Sequence, residues 1–541
     1  MNENKKLPDY TAALDELYQQ EGPPDETPIE LYVAWTKEDS GKVRKIRLQN
    51  GKYITLNQQQ NEALDLAELW IKDRTSLFFT LSGYAGTGKS TIAKEIIKEF
   101  GNKSGFGQYA VVATAPTHPA KKVIGQFTGL EAETLQSLLG LMPHVELADF
   151  DVNKPEFAQK KKPSIEYYKL VILDEGSMVN KPLWEMLKVQ ARRFNVKILV
   201  MGDAGQLNPV KEDDISVIFT DKDITYKYQL TMVERQADGN PLMVLYDSIR
   251  NNVNTAADQF DKVDNVVIMM RPDQQGSNDP RNPQIETGYR FMHTVNQFGQ
   301  AIMQAYKSDE YHLDKSHCKV LCWSNAQVEF WNASIRRTLI SELSRKPKIS
   351  QETLLHANVL IPNELLMGYA TYKDGIMNAG EYEVISMQYD QKKVWYGDKK
   401  QYWAELRGYR VALRDIDEDT IVNVFIVEPE SENITAFTKV FNNYLFLAKT
   451  TRAWPAYYAF KLENLLIKSV YDNQKQLIIK KDLEYAYAIT THKAQGRTLD
   501  QVFVDLHNIN QNDRIPERNR LKYVALSRPR YLATIFTGGT S

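Results

Sequence analysis

The sequence predicts an α/β protein with two parallel-sheet cores, and three observations lead to this prediction. At residues 77–91 an apolar run passes through a glycine-rich loop into a helical pattern. Apolar segments at residues 109–115, 169–173 and 196–201 then alternate with helical patterns, as in a doubly wound parallel sheet. A second alternating region begins near Gln236 and resumes after a stretch of short, aromatic-rich strands, so a second core is expected.

The glycine-rich loop at residues 83–90 fits the pattern G-x-x-x-x-G-K-[ST] without a mismatch. Glycines let backbone N–H groups surround a phosphate, and the helix N-terminus that follows favours its negative charge. Lys89 is therefore expected to reach the β- and γ-phosphates of ATP, and Ser90 to bind Mg²⁺. An ordinary glycine turn is the alternative, but the flanking strand and helix favour a nucleotide site. The residues expected to hold ATP in this loop are Gly83, Gly86, Thr87, Gly88, Lys89, Ser90 and Thr91.

Two later strands end in side chains that suit hydrolysis of the nucleotide. The apolar residues 171–173 are followed by Asp174 and Glu175. We expect Asp174 to hold Mg²⁺ and Glu175 to polarise the attacking water. Residues 199–209 form another apolar segment with a polar loop, from which Gln206 is expected to contact the γ-phosphate. A solvated acidic pair and a plain turn are the alternatives.

The composition is that of a soluble protein. The chain has 541 residues, of which 43% are hydrophobic and 25% charged. Its net charge of −2 neither supports nor excludes a nucleic-acid partner, because local charge decides that. We find no signal peptide and no membrane-spanning run, and expect the protein in the cytoplasm of a bacterial or phage-infected cell.

Cysteine usage points to a reducing compartment, since Cys318 and Cys322 are the only two cysteines. Together with His312 and His317 they offer four possible zinc ligands. However, alternation along a strand would send neighbouring ligands to opposite faces, so the sequence favours a packing role.

The chain also contains segments that interrupt the two cores. Residues 1–30 carry two lysines against eight carboxylates, which is typical of a solubilising tail or of a docking site for a partner. A polar interruption contains Phe150, Phe157 and three consecutive lysines, and predicts a small hairpin. The expected parts are an acidic arm with a short hairpin (1–55), a first core (56–124 and 169–235), a hairpin insertion (125–168), a second core (236–356 and 483–541) and an all-β insertion (357–482).

The order of motifs resembles that of superfamily 1 helicases of the B branch, most closely the Dda-type phage helicases beside the RecD group. The resemblance extends from about residue 56 to residue 535. Beyond the glycine-rich loop and the acidic pair, the matching stretches are Gln60 and residues 115–118 (APTH), 134–139 (TLQSLL), 202–206 (GDAGQ), 230–236 (LTMVERQ), 323–325 (WSN), 490–496 (TTHKAQG) and 523–528 (YVALSR).

This resemblance implies a fold and several residue roles. Both cores would be RecA-like with ATP between them, the first insertion would be a pin that separates strands, and the second would be SH3-like. Gln60 would read the adenine edge through its amide. Arg235 and Arg528 would act as arginine fingers on the transferring phosphoryl group. Gly496 would let the second core approach the γ-phosphate.

The family's contacts with single-stranded DNA map onto loops at the tops of both cores. Short hydroxyl and amide side chains suit contacts to phosphates and sugars, which carry no sequence information. Gln136 stands where relatives usually have histidine, which puts a base contact there in doubt. Phe150 or Phe157 would stack on a base at the fork. The residues implied for DNA binding are Pro116, Thr117, His118, Thr134, Ser137, Ser324, Asn325, Thr491, His492 and Lys493.

The resulting prediction is an ATP- and Mg²⁺-dependent DNA helicase. It would translocate on single-stranded DNA in the 5′-to-3′ direction implied by the resemblance, unwind forked DNA, and act in replication, recombination or repair. We expect a monomeric motor without a membrane partner, whose acidic arm docks single-strand-binding or replication proteins if it is more than a solubilising tail. The alternatives are an RNA or RNA–DNA helicase and an ATP-gated recombination or loading factor.

Overall fold

The computed structural model describes residues 44–47, 53–84, 86–104, 108–143, 157–159, 162–209, 215–232, 241–242, 245, 248–249, 265–270, 285–315, 317–343, 356–372, 375–416 and 418–538. The chain divides into two compact units, residues 1–57 and 58–541. In the first unit, strand β1 (Lys45–Arg47) pairs antiparallel with β2 (Tyr53–Thr55), so the predicted short hairpin is confirmed. Residues 48–52, which connect the two strands, and the acidic arm lie outside the described residues.

The second unit begins with a six-stranded parallel sheet, the first core. The strands in this part of the chain are β3 (Phe78–Gly83), β4 (Val111–Ala115), β5 (Ala132–Thr134), β6 (Leu141–Pro143), β7 (Phe157–Gln159), β8 (Leu170–Leu173), β9 (Lys197–Gly202) and β10 (Tyr226–Leu230). Six of them form a sheet in the order β10-β3-β9-β8-β4-β5, and each neighbouring pair is parallel. The strands predicted near residues 109–115, 169–173 and 196–201 are therefore confirmed.

Helices cover the first sheet, and capping residues define where several of them begin. Thr117 caps the helix that follows β4, and Asn180 accepts a hydrogen bond from Leu183 N (3.1 Å) at the start of the helix after β8. Trp184 in that helix packs edge-on against Phe78 of β3, with ring centroids 5.5 Å apart. The helices here are Gln58–Lys72, Lys89–Ser104, His118–Thr128, Leu135–Leu138 and Lys181–Phe194, with 3₁₀ turns at Gln108–Ala110, Ser164–Tyr167, Gly176–Met178 and Val217–Phe219.

The first insertion is shorter than the predicted 125–168. β6 and β7 form an antiparallel hairpin stem, with Leu141 opposite Gln159 and Pro143 opposite Phe157. The stretch before β6 instead belongs to the first core, because β5 pairs with β4 in its sheet. Ile165, after β7, is fully buried in the same core. The predicted boundaries were wrong because the polarity of this stretch masks short elements that pack on the sheet.

The second core is a six-stranded sheet built from separated parts of the chain. Its order is β11-β12-β23-β22-β13-β21, and all its pairs are parallel except β11 with β12. The remaining strands are β11 (Val266–Met270), β12 (Ile285–Met292), β13 (Cys318–Cys322), β14 (Leu365–Gly368), β15 (Glu381–Tyr396), β16 (Tyr402–Asp415), β17 (Ile421–Val427), β18 (Val470–Tyr471), β19 (Leu477–Ile479), β20 (Leu483–Tyr485), β21 (Ala488–Thr490), β22 (Leu499–Asp505) and β23 (Pro529–Phe536). The helices are Val295–Tyr306, Asp309–Leu313, Asn325–Leu343, Ser431–Thr451, Trp454–Leu462, Leu506–Asn510 and Ile515–Leu526, with a 3₁₀ turn at Thr491–Ala494.

The second insertion is not all-β, and that part of the prediction was wrong. Its antiparallel sheet has the order β17-β16-β15-β14-β20, but the helices Ser431–Thr451 and Trp454–Leu462 follow β17. Phe437, Val440 and Phe441 are buried on one face of the first helix, at helical spacing. β20 belongs to this sheet, so the second core resumes at β21 rather than at residue 483.

The predicted α/β fold with two parallel-sheet cores is confirmed. Cys318 and Cys322 are fully buried at the two ends of β13, in the second core. Within the ranges given above, no helix has both the length and the apolar character needed to cross a membrane.

Candidate active site

The glycine-rich loop connects β3 with the helix Lys89–Ser104 in the conformation that its glycines permit. Gly86 and Gly88 have φ values of 85° and 86°, which side chains other than glycine rarely adopt. A methyl group on Gly88 would also lie 2.6 Å from Nε2 of Gln60. Lys89 Nζ donates to the carbonyl oxygens of Gly83 (2.6 Å) and Tyr84 (2.8 Å). The lysine side chain therefore lies along the loop in which it is predicted to bind phosphate.

Gln60 reaches this loop from the preceding helix. Its side chain is 4% exposed, and Nε2 donates to the carbonyl oxygen of Thr87 at 3.2 Å. The amide therefore lies beside the loop, as a residue that reads the base of a loop-bound nucleotide must. Its role in adenine recognition stays a prediction.

The acidic pair lies at the carboxyl end of β8, along the same sheet edge as the glycine-rich loop after β3. Glu175 N donates to Oδ1 of Asp174 at 2.9 Å. Glu175 has a left-handed backbone (φ 51°), a conformation that costs about 1–3 kcal/mol in residues other than glycine and is concentrated at functional sites. Gly176 must follow it, because a methyl group there would lie 2.7 Å from Val200 Cγ1.

Charged groups from both cores act on Glu175. Burial, followed by the negative charges of Asp174 and Asp203, raises its pKa to about 7. Arg528 of the second core and Lys89 of the first oppose this rise. A carboxylate that titrates near neutral pH suits the activation of a water molecule. Mg²⁺ prefers oxygen ligands. Ser90 and Asp174 carry such oxygens and lie at the same edge of the first sheet as Glu175.

Arg528 is held in place by its own core. Its side chain is 6% exposed, Nη2 donates to Ser527 Oγ at 2.7 Å, and Nη1 donates to the carbonyl of Arg497 at 3.2 Å. A guanidinium fixed in this way, within electrostatic reach of Glu175, is suitably placed to stabilise charge on a phosphoryl group. The finger role itself remains a prediction. Arg235, the other predicted finger, lies outside the described residues.

The loop containing Gln206 is directly bound to the second core. Arg520 Nη1 donates to the carbonyl oxygens of Ala204 (2.5 Å) and Gln206 (2.7 Å), and Tyr523 OH donates to Asp203 Oδ2 at 2.6 Å. No sequence pattern predicts a role for Arg520 or Tyr523. Tyr523 opens the stretch 523–528, but contacts across more than 300 residues leave no local signal.

The turn Thr491–Ala494 and the residues after it also meet the first core. Gln495 Nε2 lies 3.5 Å from Gln206 Oε1. Gly496 has a φ of 75°, and a methyl group on it would lie 3.3 Å from Cβ of Ala120. Gly496 therefore permits a close approach between the cores, and its approach to a γ-phosphate stays a prediction.

The predicted DNA-binding residues of the first core lie at two helix starts along the carboxyl edge of the sheet. Thr117 accepts a hydrogen bond from Ala120 N (3.4 Å), and Thr134 accepts one from Ser137 N (3.3 Å). The hydroxyl of Ser137 donates to Glu133 at 2.8 Å. Pro116 and His118 flank Thr117, and both are half-buried. Gln136 has a buried side-chain oxygen with no hydrogen-bond partner among the described residues, so its amide oxygen points into the protein.

The corresponding loop of the second core, residues 323–325, is anchored by buried polar side chains. Asn508 Oδ1 accepts from the backbone N–H groups of Trp323 (2.9 Å) and Ser324 (3.0 Å). Asp505, which is fully buried, accepts from Asn508 N at 3.0 Å and from Trp331 Nε1 at 2.9 Å. Asn325 is exposed at the start of the next helix. These bonds fix the loop to the end of β22.

The three predicted DNA-binding residues of the turn after β21 differ in accessibility. Thr491 is fully buried and its hydroxyl donates to the carbonyl of Cys322 at 3.2 Å, so that side chain has a structural bond here. His492 is half-buried, lies 3.9 Å from Glu517, and has a pKa lowered by burial. Lys493 Nζ lies 3.5 Å above the ring of Tyr369.

Of the two phenylalanines predicted to stack on a base, Phe150 lies outside the described residues. For Phe157 only the backbone, in β7, is described.

The chain is similar to several known proteins. A family model described as "AAA domain" matches residues 55–269. The chain is 26% identical over 485 residues to the ATP-dependent DNA helicase dda of Enterobacteria phage T4, covering 88% of this chain and 98% of that protein. It is 22% identical to the ATP-dependent DNA helicase Pif1 of Campylobacter jejuni, covering 83% of this chain and 86% of that protein. A crystal structure of the Pif1 helicase from Bacteroides with ADP-AlF3 and ssDNA matches 89% of this chain and 92% of that chain, at 16% identity and a TM-score of 0.43.

Proposed function

We propose that this chain, which belongs to the superfamily 1 helicases of the Dda and Pif1 type, uses ATP hydrolysis to move along single-stranded DNA and unwind duplex DNA. The observation that carries the proposal is the composite site around Glu175. Lys89 comes from the first core and Arg528 from the second, and both charges act on that carboxylate. Hydrolysis at such a site is coupled to the relative position of the two cores.

Each residue of the site would have its own role in ATP hydrolysis. Lys89 would bind the β- and γ-phosphates, Ser90 and Asp174 would hold Mg²⁺, and Glu175 would take a proton from the attacking water. Arg528, joined by Arg235, would neutralise the charge that develops on the γ-phosphoryl group. Gln206 would report loss of that group through the bonds that link its loop to Arg520.

Alternating grip on DNA would convert closure of the cores into steps. The loops at residues 116–118 and 323–325 occupy equivalent positions, each after a strand of its own sheet. A cycle that tightens one loop while it loosens the other moves the strand in one direction, which by resemblance is 5′ to 3′. The motor would act as a monomer, and the acidic arm would recruit single-strand-binding or replication proteins.

Strand separation would fall to the hairpin built on β6 and β7. A hairpin can separate the strands of a duplex if it lies between them at a fork, and an aromatic side chain stacked on a base contributes about 1–3 kcal/mol. Phe150 and Phe157 are the candidates for that stacking contact. Replacement of residues 152–156 by a two-residue turn should then abolish unwinding while translocation and ATP turnover persist. Equal loss of all three activities would assign the hairpin a structural role instead.

The proposal is tested with forked DNA substrates that carry a single-stranded tail of one polarity. The parent protein should unwind the 5′-tailed duplex when ATP and Mg²⁺ are present, and Lys89→Ala should not. The same assay on a 3′-tailed duplex measures polarity. ATP turnover that is stimulated by DNA without any strand separation on either substrate would favour an ATP-gated loading factor and would refute the helicase assignment.

A further inference from the structure

A group of positive side chains surrounds Tyr369 where the second insertion meets the second core. β14 and β20 pair antiparallel with Gly368 opposite Leu483, and Tyr369 N donates to the carbonyl of Asp482 at 2.8 Å. This ladder places the Tyr369 ring beside the lysines that precede β20. The turn Thr491–Ala494 approaches the same ring from the second core. Elements that are distant in sequence therefore meet at this aromatic side chain.

Three ammonium groups lie close to the ring. Lys493 Nζ is 3.5 Å from the ring centroid, Lys481 Nζ is 5.2 Å away and Lys480 Nζ is 5.8 Å away. Cations at such distances are attracted to the ring face, which partly offsets their mutual repulsion. The ring acts as a neutral platform for a concentration of positive charge.

Carboxylates neutralise only some of these cations. Lys481 is paired with Glu329 and Glu484, and nearby Arg497 is paired with Glu381 at 3.2 Å. In the part of the chain that the structure describes, neither Lys480 nor Lys493 has a carboxylate within ion-pair distance. Lys493 Nζ donates only to neutral oxygens, the carbonyl of Gly368 (2.9 Å) and Oδ1 of Asn378 (3.3 Å). The arrangement thus leaves two lysine side chains, without a carboxylate partner, beside each other for an anion from outside.

We propose that Lys480 and Lys493 together bind one backbone phosphate of the single-stranded DNA at this junction. The inference rests on the proposed helicase function and adds a residue of the insertion, Lys480, to the DNA path. Lys493 was implied by family resemblance, whereas neither Lys480 nor the Tyr369 platform was. The phosphate would bridge the two cationic side chains, and so would hold the insertion and the second core to the same nucleotide.

Arg497 is a positioning residue for this site. Its Nε donates to the carbonyl of Lys493 at 3.1 Å, and its Nη2 donates to the carbonyl of Ala379 at 2.6 Å. These bonds join the Thr491–Ala494 turn to the segment that precedes β15. The backbone of Lys493 is therefore fixed relative to the insertion before any DNA arrives.

The titration of Lys493 gives the site a measurable signature. Burial and the positive charges of Lys480, Arg497 and Lys481 lower its pKa to about 7, while Glu484 opposes the change. Burial and Lys481 also lower the pKa of Lys480, opposed by Asp482. A bound phosphate favours the charged lysines, so DNA binding above pH 7 must take up protons. Affinity for single-stranded DNA should consequently fall as pH rises above 7, by at most tenfold per pH unit for one coupled proton.

The test compares Lys480→Gln with Lys475→Gln, which removes the same charge from an exposed turn between β18 and β19. Binding of an oligothymidylate is titrated at several salt concentrations and at pH 6.5 and 8.5. One phosphate contact on a single strand contributes about 0.7 to the slope of log affinity against log salt, or roughly fivefold in Kd at 0.1 M salt. Lys480→Gln should show that loss in slope and affinity, Lys480→Arg should restore it, and Lys475→Gln should match the parent.

Several outcomes would overturn the site while leaving the motor intact. If Lys480→Gln and Lys475→Gln bind alike, or if the parent's affinity is the same at both pH values, no phosphate bridges the two lysines. Loss of binding accompanied by a lowered melting temperature in Lys480→Gln, without rescue by arginine, would assign Lys480 a structural role. Absence of any DNA binding by the parent would instead refute the proposed function.

Discussion

Replacement of Glu175 by glutamine should raise the stability of the protein and abolish its ATP turnover. The raised pKa means that the folded chain holds a proton on Glu175 between about pH 4.5 and 7, where the unfolded chain has lost it. The free energy of unfolding therefore falls as pH rises from about 4.5 to 7. Above pH 7 the ionised carboxylate destabilises the folded state by its full amount. Because the carboxyl group titrates near 7 rather than 4.5, ionising it at pH 8 costs at most about 3 kcal/mol.

Glutamine keeps the shape of the side chain without the charge, so Glu175→Gln should recover most of that free energy at pH 8. Urea unfolding at pH 8 and at pH 4.5 measures the difference, with Glu405→Gln, an exposed glutamate of β16, as the control. The variant should be more stable than the parent at pH 8 and equal to it at pH 4.5. For the parent, kcat/KM for ATP should rise with pH up to about 7 and then level off. An equal stability difference at both pH values, or a flat kcat/KM profile below pH 7, would refute the assignment of Glu175 as a strained, water-activating base.

Two further predictions concern contacts between the cores. Arg528→Ala should lower kcat by about a thousandfold with a small effect on ATP affinity, because its contact strengthens in the transition state; stopped-flow hydrolysis and nucleotide-binding titrations measure the two effects, and equal loss in both would argue against a finger. Tyr523→Phe removes a buried bond to a carboxylate worth about 1.5–3 kcal/mol, so the KM for ATP should rise roughly tenfold or more. An unchanged KM would mean that the 2.6 Å bond to Asp203 does not hold the nucleotide-binding arrangement together.

The parts of the fold that the sequence predicted are those with local signals. The strands β8 and β9 contain the apolar runs LVIL and ILVM, which lie within the segments 169–173 and 196–201 that the sequence predicted. The helix Ser431–Thr451 was missed because its aromatic residues also suit strands, and because the strands β15, β16 and β17 precede it.

The candidate site divides in the same way between local and distant signals. The glycine-rich loop and the acidic pair are contiguous motifs and were found, whereas Arg520 and Tyr523 act on a loop more than 300 residues away. The platform at Tyr369 depends on a strand pairing, between β14 and β20, that spans over 100 residues. Such long-range contacts follow from topology, which no short pattern encodes.

The buried carboxylate of Asp505 has a consequence for the speed of a motor. Through Asn508 it holds the backbone of the loop at residues 323–325 to the sheet before a ligand is present. A loop that is already ordered loses little conformational entropy when it binds a ligand. It also stays ordered when the ligand is released. If this loop contacts single-stranded DNA as proposed, binding and release would be limited by a few bonds to the sugar–phosphate chain rather than by refolding of the loop. A motor that repeatedly binds and releases its track would then need no refolding step in each cycle.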